Sequence, residues 1–259
     1  MIDKETLDLL VKQYETSEFI NDDPVQFVHR FGNEEDATLA GFIASSFSYG
    51  NRKVFIQKLK ELFECIDNKP YDFVMNGDVH KILNFNYRFA KNYDVHEFFR
   101  KLHLLYVSGS SLKELFKKNY RDELMPMFQG VCDYFYDGAK LTQGYCHLIP
   151  NPKNGGTMKR LNMFLRWMVR KPPVDFGMWN FIKPSKLLIP FDVHVARMAR
   201  NLGLLNRSSN DYKAVLELTE RLKTFDCEDP IKYDFALFGY GINHSQMQEP
   251  EEEDERLLA

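Results

Sequence analysis

This sequence predicts an all-α fold, on three observations. Apolar side chains recur every three to four positions in stretch after stretch, the spacing of a helix with one buried face. Alternating apolar and polar runs bounded by hairpin dipeptides, the mark of a sheet, are missing. Clusters of Pro, Asn, Asp, Ser and Gly fall between the periodic stretches, where helices stop and start.

Taken in order, Leu7, Leu10, Val11 and Tyr14 repeat at helical spacing, as do Val54, Leu59, Leu62 and Phe63, and then Phe98, Leu102, Leu105 and Tyr106. Punctuation comes from Asp22-Asp23-Pro24, Asn68-Lys69-Pro70, Ser108-Gly109-Ser110-Ser111 and Lys171-Pro172-Pro173. A helix is predicted over 159–170 with Thr157 as its N-cap, and another directly after Asp192. There is no internal repeat. The chain has 259 residues, 44% hydrophobic and 27% charged, material for one large or two small cores. It reads as one helical domain over 1–248 with a hairpin near 145–170. Glu249 to Glu255 holds six acids and no core residue, so 249–259 reads as a disordered acidic tail.

Several classes of function drop out. No apolar run approaches the roughly 20 residues of a membrane helix, and Met1-Ile2-Asp3-Lys4-Glu5 lacks the order of a signal peptide. A cytoplasmic protein without membrane partners is expected, as a monomer. Cys65, Cys132, Cys146 and Cys227 form no C-x-x-C pair and fit neither zinc nor an iron–sulfur cluster. No metal and no cofactor are expected.

Charge is uneven. Between Lys159 and Arg207 ten Lys or Arg face only Asp175 and Asp192, in a chain whose formal net charge is −3. Such a face suits nucleic-acid phosphates, whose affinity comes largely from counterion release. A pair of solvated helix faces would read the same way.

Pro190-Phe191-Asp192-Val193-His194-Val195-Ala196-Arg197, followed by Asn201-Leu202-Gly203-Leu204, resembles the V-D-T-H-V-x-R…R-L-G-L signature of the helix-hairpin-helix DNA glycosylases, the endonuclease III superfamily. Leu39 to Asn51 is similar to that family's early L-x-x-x-x-L-S-x-Q-T segment, without its Gln, and Asp229 to Gly239 to its last core helix, which ends in a short glycine turn. The hairpin Leu148 to Lys159 is looser than the family's L-P-G-V-G-x-x-T-A. The long interval from Lys159 to Asp192 resembles the archaeal 8-oxoguanine (GO) glycosylase branch. The run Lys159 to Arg170 also resembles one in uncharacterised conserved bacterial proteins.

The resemblance implies a two-lobed glycosylase fold that excises a damaged base from duplex DNA, 8-oxoguanine as first guess, with abasic-site lyase activity. It implies Asp192 as the catalytic acid. A fixed carboxylate there stabilises the positive charge that builds on the sugar as the N-glycosidic bond breaks. Lys159 is the candidate nucleophile, since the positive end of a helix disfavours an ammonium and the attacking amine must be neutral. Water as nucleophile, with Lys159 as a phosphate contact, stays open, and so does Asp192 as a plain N-cap. Asp234 and Phe238, four apart on one helical face, are matched to reading and stacking the flipped base, against simple packing with Asp234 near an arginine. Lys153, Gly155, Gly156, Arg160, Arg166 and Arg197 are the candidate DNA contacts, and His194 is read as structural. The rival functions are a non-enzymatic DNA-binding protein that retains the fold and a helical interaction scaffold.

Overall fold

A computed structural model describes residues 2–245, and every regular element among them is helical. The α-helices are α1 (Lys4–Tyr14), α2 (Glu34–Phe47), α3 (Arg52–Cys65), α4 (Pro70–Asn76), α5 (Asn92–Val107), α6 (Leu112–Asn119), α7 (Leu124–Tyr136), α8 (Gln143–Leu148), α9 (Lys159–Val169), α10 (Val193–Asn201), α11 (Tyr212–Lys223) and α12 (Tyr233–Ser245). Short 3-10 turns connect several of them. Among the described residues no helix is long and apolar enough to cross a membrane. The expected acidic tail over 249–259 lies outside the described residues.

The helices gather in two groups. The first surrounds α2, in which Ala37 through Phe47 is buried without a break, the pattern of a helix enclosed on all sides. The 3-10 turn Pro24–Arg30 and helices α3, α4, α6 and α9 pack on it. The Phe42 ring meets Phe98, Phe116, Phe135 and Phe164 at 5.4–6.2 Å between centroids, so α5, α6, α7 and α9 converge on one aromatic centre. Each such buried ring contributes roughly 1.5–3 kcal/mol of hydrophobic stabilisation. The second group is built on α12, which packs against α1 and α10, with α11 reached through the 3-10 turn Pro230–Lys232. The N-terminal helix is thus packed with the C-terminal ones.

Helix starts follow local chemistry. Asp3, Asn33, Asn51, Ser111, Thr142, Asp192 and Asp211 each accept a backbone N–H at a helix N-terminus. Thr142 also donates to Asp94 of α5, which fixes α8 and the hairpin that follows.

Three sequence expectations need correcting. Thr157 does not cap the helix over 159–170. Met158 is the N-cap, in left-handed backbone at φ 53°, and the helix ends at Val169, one residue early. There the amides of Phe176, Gly177 and Trp179 take the Trp167 and Met168 carbonyls, so the loop after Pro172-Pro173 folds back to close the helix end. Val54 is exposed and Phe55 takes its place in the core. Asp22-Asp23-Pro24 does punctuate the chain, between the 3-10 turns Ser17–Asp22 and Pro24–Arg30. The last helix does not stop at Gly239. It runs through to Ser245, because the glycine is needed for the close approach of the Tyr14 ring from α1.

Candidate active site

The buried rail Leu187 to Phe191, anchored where the Ile189 N–H donates to Thr219 Oγ1 at 3.2 Å, delivers Asp192 to the head of α10. Asp192 Oδ1 accepts the N–H groups of His194 and Val195 at 3.0 and 2.9 Å. Its Oδ2 lies 3.0 Å from Lys159 Nζ, with the two side chains 16% and 35% exposed. Lys159 is the first residue of α9 because the strained Met158 turns the chain abruptly into the helix. Two residues distant in sequence, each heading a helix, therefore meet at a half-open position.

Burial alone would push the Asp192 carboxyl upward. The Lys159 ammonium, the Val195 N–H and His194 outweigh it and hold the group below its ordinary value, ionised at neutral pH. Asp234 moves the other way. Burial raises it to about 6 against the pull of Arg166, and the negative charge of Asp192 adds to the rise. Two carboxyls of one neighbourhood are thus set apart in acidity, as acid–base sites often require.

Behind this pair lies a buried ionic network. Arg166 pairs with Asp175 at 3.1 Å and with Asp234. Arg170 pairs with Asp175 at 2.6 Å, Asp229 at 2.8 Å and Glu15 at 2.8 Å. The Phe235 ring lies under both guanidinium groups, at 4.5 and 5.5 Å. These contacts tie α9 of the first group to α1 and α12 of the second.

The other sequence candidates divide. Phe238 is half-buried, with Phe19 against its ring at 5.8 Å and the Arg52 guanidinium over it at 5.4 Å. Asp234 is committed to Arg166, the packing alternative. Arg166 is buried and saturated by two carboxylates, so it does not reach phosphate. Arg160 also turns inward, donating to the Ser46 carbonyl at 2.6 Å and to the His147 carbonyl, above the Tyr49 ring. Burial lowers its guanidinium to about 10, and the His147 imidazole beside it is pushed down to about 4 by burial and by the Arg160 and Arg88 cations. Lys153, Gly155 and Gly156 are exposed in the turn between α8 and α9, and Arg197 is half-buried on α10. His194 is exposed at the start of α10 and contributes its backbone N–H to Asp192.

Of the basic excess of 159–207, Arg160, Arg166 and Arg170 are turned inward, and others are paired at the surface. Lys186 pairs with Asp122, Arg207 with Asp211, and Arg200 donates to the carbonyls of Arg207 and Ser208. Lys171 and Lys183 join Lys153 on the surface.

Sequence reasoning missed Asp23, Arg52, Arg170, Asp175, Glu15 and Phe19 as parts of this region. One signal was available. Arg166 and Arg170 stand one turn apart in an otherwise apolar run, so both had to be buried, and buried arginines require carboxylates. Asp23 and Arg52 gave no such signal, because each lies in a polar junction.

A helical protein that holds a lysine and an ionised aspartate in contact at two helix starts is the class these observations define. The family model described as "Protein of unknown function (DUF2400)" matches residues 23–243, and the chain belongs to that family. No curated protein and no solved structure matches it.

Proposed function

We propose that the protein is a helix-hairpin-helix DNA glycosylase with abasic-site lyase activity, a cytoplasmic monomer acting on duplex DNA with a damaged base, 8-oxoguanine as first candidate. The observation that carries this reading is the 3.0 Å contact between Lys159 Nζ and Asp192 Oδ2 at a half-open position. The helix–turn–helix of α8 and α9, with Lys153, Gly155 and Gly156 exposed in its turn, supports it.

In this reading the Lys159 ammonium gives a proton to water, the free amine attacks C1′ of an extruded nucleotide, and the C1′–N bond breaks with its electron pair leaving on the base, which takes a proton from solvent. Opening of the sugar ring and loss of a nitrogen-bound proton give a Schiff base. Removal of a C2′ hydrogen then expels the 3′ phosphate. Asp192 stays ionised throughout and stabilises the positive charge on the sugar and on nitrogen.

Borohydride reduction tests this. The purified protein, mixed with an abasic-site or 8-oxoguanine duplex, is expected to give a covalent adduct that Lys159→Gln abolishes. No adduct, or one that survives Lys159→Gln, defeats the lyase assignment. One observation favours a second reading, a DNA-binding protein that keeps this fold without the chemistry. Asp234 and Phe238 are both engaged within the molecule. Duplex binding unchanged by Asp192→Asn, with no turnover on a panel of lesions, would select it.

A further inference from the structure

Helix α9 starts without the device that starts α10 and α11. Asp192 and Asp211 cap those helices with a side-chain oxygen, whereas Met158 gives α9 no side-chain cap and stands in left-handed backbone at φ 53°. A residue other than Gly stays left-handed only where its surroundings hold it there. Here the hold comes from within the helix. Asn162, 1% exposed, reaches back from the end of the first turn, and its Nδ2 donates to the Thr157 carbonyl at 3.1 Å. Its own N–H donates to the Met158 carbonyl at 3.0 Å, the first bond of the helix. Those two carbonyls belong to the peptide planes on either side of Met158, so one residue fixes both the φ and the ψ of the strained position.

Asn162 stands three residues after Lys159 and four before Arg166, the uncharged member of the row of α9 that also carries Arg170. The three cations each meet a carboxylate. Among the described residues the Asn162 Oδ1 is sealed from solvent and has no hydrogen-bond partner. Burying an amide half satisfied is a cost that a leucine of similar size would avoid. Stability alone therefore does not account for an asparagine here. What its Nδ2 fixes does. The far end of the turn is held separately, by the Tyr212 N–H on the Gly155 carbonyl at 2.9 Å. Arg160, on the other side of Lys159, is held by the Ser46 carbonyl at 2.6 Å. Asn162 thus governs the short stretch Thr157 to Met158, which aims Lys159, and leaves the exposed part of the turn to other contacts.

Resting on the glycosylase reading, we propose that Asn162 is a positioning residue for the nucleophile, clamping the peptide groups on both sides of Met158 so that the Lys159 amine stays at Asp192. It acts only through Lys159. Without the Nδ2 bond the half-buried Thr157 carbonyl is free to turn to water, Met158 relaxes out of the left-handed region, and Lys159 swings away from its 3.0 Å contact. A misplacement of about 1 Å can cost about 10²-fold in rate.

Asn162→Leu removes the donor at nearly constant volume, and Asn162→Ala removes it without crowding. At saturating abasic duplex both are expected to form the borohydride-trapped adduct about 10²-fold more slowly, with the Kd for the duplex unchanged. Wild-type trapping by either variant overturns the proposal. So does a loss of rate matched by a loss of duplex affinity and a lower melting temperature in both, which would make Asn162 a packing residue. A second measurement needs no DNA. With lysines dimethylated by ¹³C-formaldehyde, the Lys159 signal, identified by its absence from Lys159→Gln, is expected to move in Asn162→Leu in the same sense as in Asp192→Asn. An unmoved signal overturns the proposal. A signal that moves, in a protein whose wild type traps nothing, overturns the glycosylase reading and leaves Asn162 holding the Lys159–Asp192 pair.

Discussion

Asp192 and Asp234 face each other in charge across one neighbourhood, and their opposite acidities have opposite consequences for stability. The Asp192 carboxyl is lowered on folding, so the stability it contributes is present above the ordinary carboxylate range and is lost as pH falls through its depressed value. Asp234 is raised to about 6. Between its ordinary value of 3.8 and about 6 the folded state binds more protons than the unfolded one, so its contribution is present at low pH and is lost as pH rises through about 6. Asp234→Asn removes this titration. Its stability relative to wild type, from urea denaturation at a series of pH values, is therefore expected to rise between pH 4 and 6.5. A constant difference across that window would mean that Asp234 does not titrate there. Of these two residues, the sequence made Asp192 legible through its signature and its capping position. For Asp234 both a base-reading and a packing role stood open, and only the spatial partner, Arg166 from 68 residues away, separates them.

Helices were legible wherever one apolar face repeated, and misplaced where a contact from elsewhere overrode local propensity. Gly239 looked like a stop signal and is a packing site. A Cβ there would fall within the Tyr14 ring, so α1 and α12 can touch only because this residue has none. Gly239→Ala is expected to force the two helices apart and cost about 1–3 kcal/mol, read as a lower urea midpoint. It should also disturb the Asp234–Arg166 pair, about one and a half turns away on α12. A midpoint unchanged from wild type would mean that Tyr14 can swing aside. Met158 is the converse case. Thr157 had the better chemistry for a cap, but the chain enters α9 through a left-handed residue instead, and nothing in the sequence around a methionine announces that.

For the molecule as a whole, the all-α class was legible from period alone, whereas the charge asymmetry misled in part. Ten basic residues suggest a continuous phosphate-binding face, yet Arg160, Arg166 and Arg170 are engaged inside the fold and Lys186, Arg200 and Arg207 are held by partners at its surface. Two substitutions separate surface from interior. Lys153→Ala is expected to weaken duplex binding and to lower the slope of log affinity against log salt by about 0.9, one phosphate contact. Arg160→Ala should leave that slope unchanged and instead cost about 1–3 kcal/mol of stability, because the Ser46 and His147 carbonyls lose their donor. The reverse pattern would put Arg160 on the DNA. The ionic network has a further consequence, in the order of synthesis. Glu15 leaves the ribosome before Asp229 and Asp234, and all three neutralise arginines of α9. A nascent chain halted before Asp229 carries Arg166 and Arg170 with only Asp175 and Glu15 to match them, and with α1 lacking the helix it packs on. Closure of the two groups thus waits until the segment bearing Asp229 and Asp234 has been made, and a product stopped before it offers proteases an interior it cannot seal.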